Sequence, residues 1–276
     1  MTTLSPIAER RDTIDRRLEV ALGSVDDSSL ALATSTIDSY SDRWYGQLVT
    51  LSYAAIADQP ITDAVLSASA AVELLRGYCQ LRSELFNRPH ASLSNPLTRD
   101  PANMLLAGDY LNSTAYTVFS QADNQQFEDA LKAIIEVSKS LIDAFNTTQT
   151  QSIDACTFLD ETVGCLGEGA AIIGAKLAGS NTALDENFGN LGRSLSSAYQ
   201  ARRILELADR NFVSPIEPPR YDESELRQYS ECCFRGAMHT LNELPDSIAV
   251  EPFRDLSDAH IDQKTGLTRN LIPDRT

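Results

Sequence analysis

Apolar residues recur at helical spacing along nearly the whole 276-residue chain, with few β-branched alternations and almost no hairpin dipeptides. That pattern selects an all-α fold. Ser5 and Pro6 suit the cap and first turn of a helix that runs to about Leu22, and the acidic, serine-rich stretch from Ser24 to Ser29 breaks it. Further helices are predicted at about 29 to 57, 62 to 86, 101 to 121, 125 to 146, 152 to 179, 182 to 210, 222 to 243 and 248 to 262. Several exceed twenty residues, which is long for an ordinary domain. Two strong interruptions stand out: Asn87 to Pro101, with three prolines, and Phe212 to Tyr221, with Pro215, Pro218 and Pro219. Neither has the Gly/Ser composition of a linker, so one domain over residues 1 to 276 with two shaped loops is expected, ending in a loose polar tail from about 263.

The helices Ala64 to Leu85 and Glu168 to Gly179 are rich in Ala, Ser and Gly, which lets long helices approach closely around a central space. Gly167-Glu168-Gly169 lies inside a helical pattern with no preceding strand and is not a phosphate loop. Asp160-Glu161 and Asp26-Asp27 are adjacent pairs. Neighbours on a helix diverge by about 100°, so both pairs read as solvated faces. Cys79, Cys156, Cys165, Cys232 and Cys233 contain no C-x-x-C pair, and only His90, His239 and His260 could add imidazole ligands. Neither a disulfide framework nor a structural zinc site fits, and reduced thiols in a cytoplasmic protein are expected.

Two segments carry a more specific pattern. Ala70-Ala71-Val72-Glu73-Leu74-Leu75 is followed about thirty residues later by Leu106-Ala107-Gly108-Asp109-Tyr110-Leu111; Ile173-Gly174-Ala175-Lys176-Leu177-Ala178-Gly179 is followed by Leu195, Ala198-Tyr199-Gln200 and Ile204-Leu205-Glu206. In order and spacing, from about residue 40 to 210, the chain resembles the trans-isoprenyl diphosphate synthases, or polyprenyl synthetases. The resemblance implies an isoprenoid-synthase bundle of long, mostly antiparallel helices around a central prenyl pocket. In that family two Asp-Asp-x-x-Asp motifs on facing helices hold magnesium ions that bind the allylic diphosphate. Positions i, i+1 and i+4 share one side of a helix, so each motif aims several carboxylates at one point, and hard cations demand such oxygen ligands.

At the first motif this chain has Ser83-Glu84-Leu85-Phe86-Asn87, one carboxylate where three are expected. At the second, Arg202-Arg203-Ile204-Leu205-Glu206 puts two cations where anions belong, and a shift of one residue does not restore the aspartates. Like charges about 4 Å apart cost roughly 4 kcal/mol at an effective dielectric near 20, so guanidinium groups oppose a divalent cluster. Family members carry Gly-Gly-Lys-Arg-x-Arg-Pro to grip the homoallylic diphosphate; here the stretch is Ser41-Asp42-Arg43-Trp44-Tyr45-Gly46-Gln47, with Arg43 alone cationic. The later Arg-Arg-Gly-x-Pro has become Ser92-Leu93-Ser94-Asn95-Pro96, and the Lys-Thr pair falls at Thr162-Val163. Diphosphate-gripping elements are replaced while packing residues such as Leu74, Gly108 and Gly174 remain.

The resemblance together with these losses implies a catalytically degenerate homologue of a polyprenyl, geranylgeranyl-type synthase. It would have no catalytic residues, metal ligands or cofactor, and would act as a homodimer or as an accessory or regulatory subunit of an active trans-prenyl synthase. A second reading is a metal-independent binder of an isoprenoid diphosphate, gripped by Arg43, Arg202 and Arg203; the competing role for the Arg202/Arg203 pair is a salt bridge with Glu84 or Glu206 that closes the site. A third is an active prenyltransferase that condenses isopentenyl and allylic diphosphates, using Mg2+ on Glu84, Asn87, Glu206 and a water. Bulky residues four and five positions before the first aspartate floor the family's pocket; these are Cys79 and Tyr78, which core packing explains equally well. Trp44 has two readings, a plug at the mouth of the site and ordinary core.

The 39 acidic residues against 23 basic ones give a net charge of -16. Such a chain is repelled by phosphate backbones and anionic bilayers, which argues against nucleic-acid partners. No stretch approaches the ~18 apolar residues of a spanning helix, so no membrane insertion is expected. Only Lys132, Lys139, Lys176 and Lys264 are lysines, and high acidity with scarce lysine is the pattern of proteins bathed in concentrated salt. Salt near 1 M shortens the Debye length to about 3 Å and screens the self-repulsion. Thermal unfolding followed by circular dichroism is therefore expected to move to higher temperature between about 0.1 M and about 1 M KCl; an unchanged or lower midpoint removes the halophilic reading.

Overall fold

The computed structural model describes residues 6–23, 30–57, 59–87, 100–120, 127–151, 153–208 and 216–262. Ser92 to Pro96, Asp26-Asp27 and the tail from 263 lie outside these residues. Among the described residues the chain is helical throughout and has no strand. The helices are α1 (Pro6–Leu22), α2 (Ala31–Asp38), α3 (Trp44–Ile56), α4 (Asp63–Asn87), α5 (Pro101–Ser120), α6 (Phe127–Thr150), α7 (Ala155–Leu159), α8 (Cys165–Leu177), α9 (Thr182–Ala208), α10 (Glu223–Glu243) and α11 (Glu251–Ser257). A π-helical turn, Asp160–Gly164, joins α7 to α8, and a second, Asp258–Asp262, extends α11.

Burial follows the composition of each helix. On α6, Ala130, Ile134, Val137, Leu141 and Phe145 recur every three or four residues and form one buried stripe, as an outer helix requires. Most residues of α3 and α4 are buried instead, so these two are covered on every side and sit at the centre. α8 and α9 complete the interior, packed on each other, while α8 also packs against α3. Helix starts are capped where the sequence supplies acceptors: Asp154 accepts from the Thr157 amide at 2.9 Å, and Asp222 from the amides of Ser224 and Glu225.

Glycine sets how closely the central helices cross. A Cβ on Gly167 would lie 2.2 Å from the Gly192 carbonyl oxygen, and one on Gly192 would lie 2.1 Å from the Gly167 carbonyl, so α8 and α9 touch backbone to backbone. At Gly174 a Cβ would stand 2.2 Å from the Val49 carbonyl of α3. Small residues here serve tight packing.

One predicted element is corrected. A single helix was expected from about 29 to 57, but α2 ends at Asp38 and α3 begins at Trp44. Arg43 between them adopts a left-handed conformation with φ 47°, and Asp42 accepts from the Trp44 amide at 3.0 Å, starting α3 with a side-chain turn. Ser39, Ser41 and Asp42, three turn and cap formers within four residues, carried that signal.

Gly192→Ala is expected to destabilise the protein by about 2–3 kcal/mol or more in urea unfolding, because backbone cannot yield to the added methyl. Gly236→Ala on α10, whose nearest neighbour would be Ser194 Oγ at 3.7 Å, is expected to be neutral or stabilising.

Candidate functional site

The first-motif residues project from the last turns of α4, and the second-motif residues from the last turns of α9. Residues 216 and 217, ahead of α10, bond to both helices. Ser83, fully buried, donates its hydroxyl to the Glu217 carbonyl at 3.3 Å and accepts from the Glu217 amide at 3.4 Å. Asn87 Nδ2 donates to the same carbonyl at 2.7 Å, and Gln200 Nε2 donates to the Ile216 carbonyl. Ile216 is buried in turn. The α4 end thus presents hydrogen-bond donors to a backbone carbonyl, where the resemblance would have carboxylates facing cations. Glu84 Oε1 accepts from Gln80 Nε2 at 2.7 Å, and Arg202 Nε lies 3.7 Å from Glu206 Oε1, one helical turn on.

Arg203 turns toward α3. Its Nη1 lies 3.2 Å from Asp42 Oδ2 and 3.0 Å from Tyr199 Oη. Arg76 of α4 grips the same carboxylate with both arms, Nη1 to Oδ1 at 2.6 Å and Nη2 to Oδ2 at 3.4 Å, and the Tyr199 hydroxyl also donates to Oδ2. The Arg76 guanidinium carbon sits 3.6 Å from the centre of the Tyr40 ring, and Nη1 reaches Glu73 Oε2 at 3.5 Å. Glu73 Oε1 accepts from the Gly46 amide at 2.8 Å, which ties α4 to the start of α3.

Trp44 is fully buried core. It stacks on Tyr199 with ring centres 4.2 Å apart and planes 7° from parallel, and its indole N–H donates to Ser196 Oγ at 2.9 Å. His260, from the turn after α11, meets both rings edge-on at 5.9 and 6.1 Å. Arg43 is committed elsewhere: its Nε lies 2.5 Å from Asp15 of α1, and Nη1 donates to the Ile37 carbonyl at 2.6 Å.

Burial raises the Asp42 carboxyl, but the Arg76 guanidinium, with Tyr199 and Arg203, overrides it and holds the group well below the usual carboxylate range. Glu73 goes the other way, its burial outweighing the pull of Arg76 and Arg43. The buried Arg76–Asp42 pair is costly to desolvate, and losing one partner of such a pair costs about 3–5 kcal/mol.

Tyr78 and Cys79 part company. Cys79 is fully buried, and burial pushes its thiol well up. Tyr78 lines a groove of about 540 Å³ with Arg82, Phe86, Leu105, Ile142 and Phe145, between α4, α5 and α6. Asp160 is half-exposed and pairs with Arg193 at 2.7 Å. The sequence reading gave no role to Asp42, Arg76, Tyr40, Tyr199 or His260. A lone Asp in a turn and an Arg amid the apolar run of α4 were the available signals, and an Arg at such a position demands a buried acidic partner.

Desolvation holds the His260 imidazole below its ordinary 6.5, with Arg203, Arg76 and Arg11 adding to the effect and Asp42 opposing it. As pH falls, the unfolded chain therefore takes up the proton first, so this stabilisation is complete above about 6.5 and is lost below it. Glu73, held high, works in the opposite sense. The urea midpoint is expected to fall between about pH 7.5 and about pH 5.5, and His260→Phe, which keeps the edge contacts, is expected to reduce that difference; an equal difference in both proteins refutes the assignment.

No protein-family model matches the chain. The (2E,6E)-farnesyl diphosphate synthase of Mycobacterium tuberculosis is 27% identical over 147 residues, half of this chain and 41% of that protein, so the chain spans about two fifths of the length of the curated relatives it matches. Solved structures align over much more. The geranylgeranyl pyrophosphate synthetase of the archaeon Geoglobus acetivorans superposes with a TM-score of 0.71 at 16% identity, covering 93% of this chain and 97% of that one. A geranyltranstransferase from Methanosarcina mazei gives 0.66 at 18% identity over 92% and 97%. The likeness inferred from the two small-residue segments thus extends through the bundle: the chain has the all-α fold of the trans-prenyl diphosphate synthases.

Proposed function

We propose that this protein is a catalytically degenerate member of the prenyl synthase fold that serves as an accessory subunit of an active trans-prenyl synthase in the cytoplasm. The observation that carries the reading is the hydrogen bonding of Ser83, Asn87 and Gln200 to the backbone of residues 216 and 217, which sets the chain's own carbonyl groups between the two motif helices. Magnesium does not fit this donor set. Ser83 and Asn87 offer neutral oxygens, Arg202 and Arg203 bring positive charge, and among the described residues no three His, Cys, Asp or Glu side chains converge. No catalytic step is assigned to Ser83, Glu84, Asn87, Arg202, Arg203 or Glu206, and the function calls for no cofactor.

The outer face of α5 and α6 supplies a surface for a partner. Leu105, Leu106, Ile135 and Ile142 are exposed there, Leu106 by 57%. The resemblance to dimeric synthases favours a second copy or an active synthase as its occupant. The metal-independent binder remains a second reading because Arg202 and Arg203 lie partly exposed, 19% and 30%, at the closed end of the bundle.

Incubation of the protein alone with labelled isopentenyl and allylic diphosphates and magnesium is expected to give no product. Mixed with an active trans-prenyl synthase from the same cell, it is expected to elute as a complex in size-exclusion chromatography and to change product length or rate. Turnover by the protein alone, or neither complex nor change, would reject the accessory role.

A further inference from the structure

Two unlike attachments hold the segment from Glu251 to Asp262 on the bundle. α11 is anchored by apolar packing: Phe253 and Leu256 are fully buried, and the Phe253 ring meets that of Phe188 of α9 with centres 6.0 Å apart. The π-helical turn Asp258–Asp262 follows directly, a backbone form that is rare and recurs where helices carry function. There Asp258 is exposed and Ala259 half-buried, while His260 sets its ring edge-on against the stacked Trp44 and Tyr199. His260 Nε2 is buried and has no hydrogen-bond partner among the described residues. The charged groups that bear most on the ring are Asp42 of the α2–α3 turn, Arg203 of α9, Arg76 of α4 and Arg11 of α1. The carboxylate is already engaged by Arg76, Arg203 and Tyr199, so it has little left to offer an imidazolium.

A proton on His260 therefore places a third kind of cation beside three guanidinium groups, in surroundings that screen them poorly. Burial and those arginines hold the imidazole below its ordinary range, so the turn takes up a proton more readily in water than when docked. The cost falls on the attachment that titrates. Phe253 and Leu256 carry no ionisable group, and their grip on the core is indifferent to pH. We propose that the turn Asp258–Asp262 is an acid-released latch: protonation of His260 frees it from the Trp44–Tyr199 pair, while α11 stays docked through Phe253 and Leu256. At pH 7.5 the neutral imidazole closes this end of the bundle. Near pH 5.5 the imidazolium leaves for water, the chain swings beyond Ser257, and one side of the ring pair is uncovered. The release is local, unlike the loss of global stability expected in acid, and it goes beyond the accessory-subunit reading because it requires neither a partner nor a ligand.

Hydrogen exchange read by mass spectrometry at about pH 7.5 and about pH 5.5, corrected for the intrinsic exchange rate, tests the latch on the wild type, His260→Phe and His260→Gln. In the wild type, protection of residues 258 to 262 is expected to fall at least about threefold in acid while α9 and α10 keep theirs. Trp44 is the only tryptophan of the chain, so acrylamide quenching of its fluorescence is expected to rise in parallel. Neither variant titrates at position 260, and both are expected to show neither change between the two pH values; His260→Gln serves alone should the phenylalanine not fit. Unchanged protection in the wild type, an equal loss in a folded variant, or a loss shared by α9 overturns the proposal. Retained protection with a fall in Trp44 emission means that the imidazolium stays against the aromatic faces, and it overturns the proposal as well.

Discussion

The burial of Asp42 between Arg76, Tyr199 and Arg203 holds together the end of the bundle where α3, α4 and α9 meet. An isolated charge in that interior would be prohibitively costly, and each of these groups is tolerable only because the others are present. The consequence spreads outward. Tyr199 is positioned for Asp42 and stacks on Trp44, Trp44 bonds to Ser196, and the Trp44–Tyr199 pair receives the edge of His260. A polar cluster thereby fixes the register of three central helices and anchors the C-terminal segment from Glu251 to Asp262.

Elsewhere that end is closed by neutral hydrogen bonds. At the end of α4, Ser83 and Asn87 hold the Glu217 carbonyl. A serine and an asparagine suit this because each offers a donor without a charge to neutralise. The same positions with carboxylates would face that carbonyl oxygen with like polarity and would expel it. The uncharged side chains at 83 and 87 and the position of the Glu217 carbonyl are therefore two sides of one electrostatic arrangement.

Much of the fold was legible because close helix crossings leave a local signature. Gly167, Gly174 and Gly192 stand where another backbone passes within a little over 2 Å of a would-be Cβ, and no other residue fits such places. The buried stripe of α6 follows from residue type and spacing alone. The site was less legible. The positions at the ends of α4 and α9 could be located, yet the pairing of Arg203 with Asp42, across 161 positions, could not. The break between α2 and α3 was also hidden by apolar spacing that continues through it, although Ser39, Ser41 and Asp42 mark it in retrospect.

By itself the sequence determined most of the helices, their order and the small-residue crossings. These depend on side-chain size, periodicity and charge within one segment. Only the tertiary structure decided which buried arginine meets which acid, which backbone fills the gap between the motif helices, and which aromatic rings meet His260. Such choices couple segments far apart in the chain, and desolvation decides among them: a charge leaves water only where the completed bundle returns an opposite charge or a donor to it.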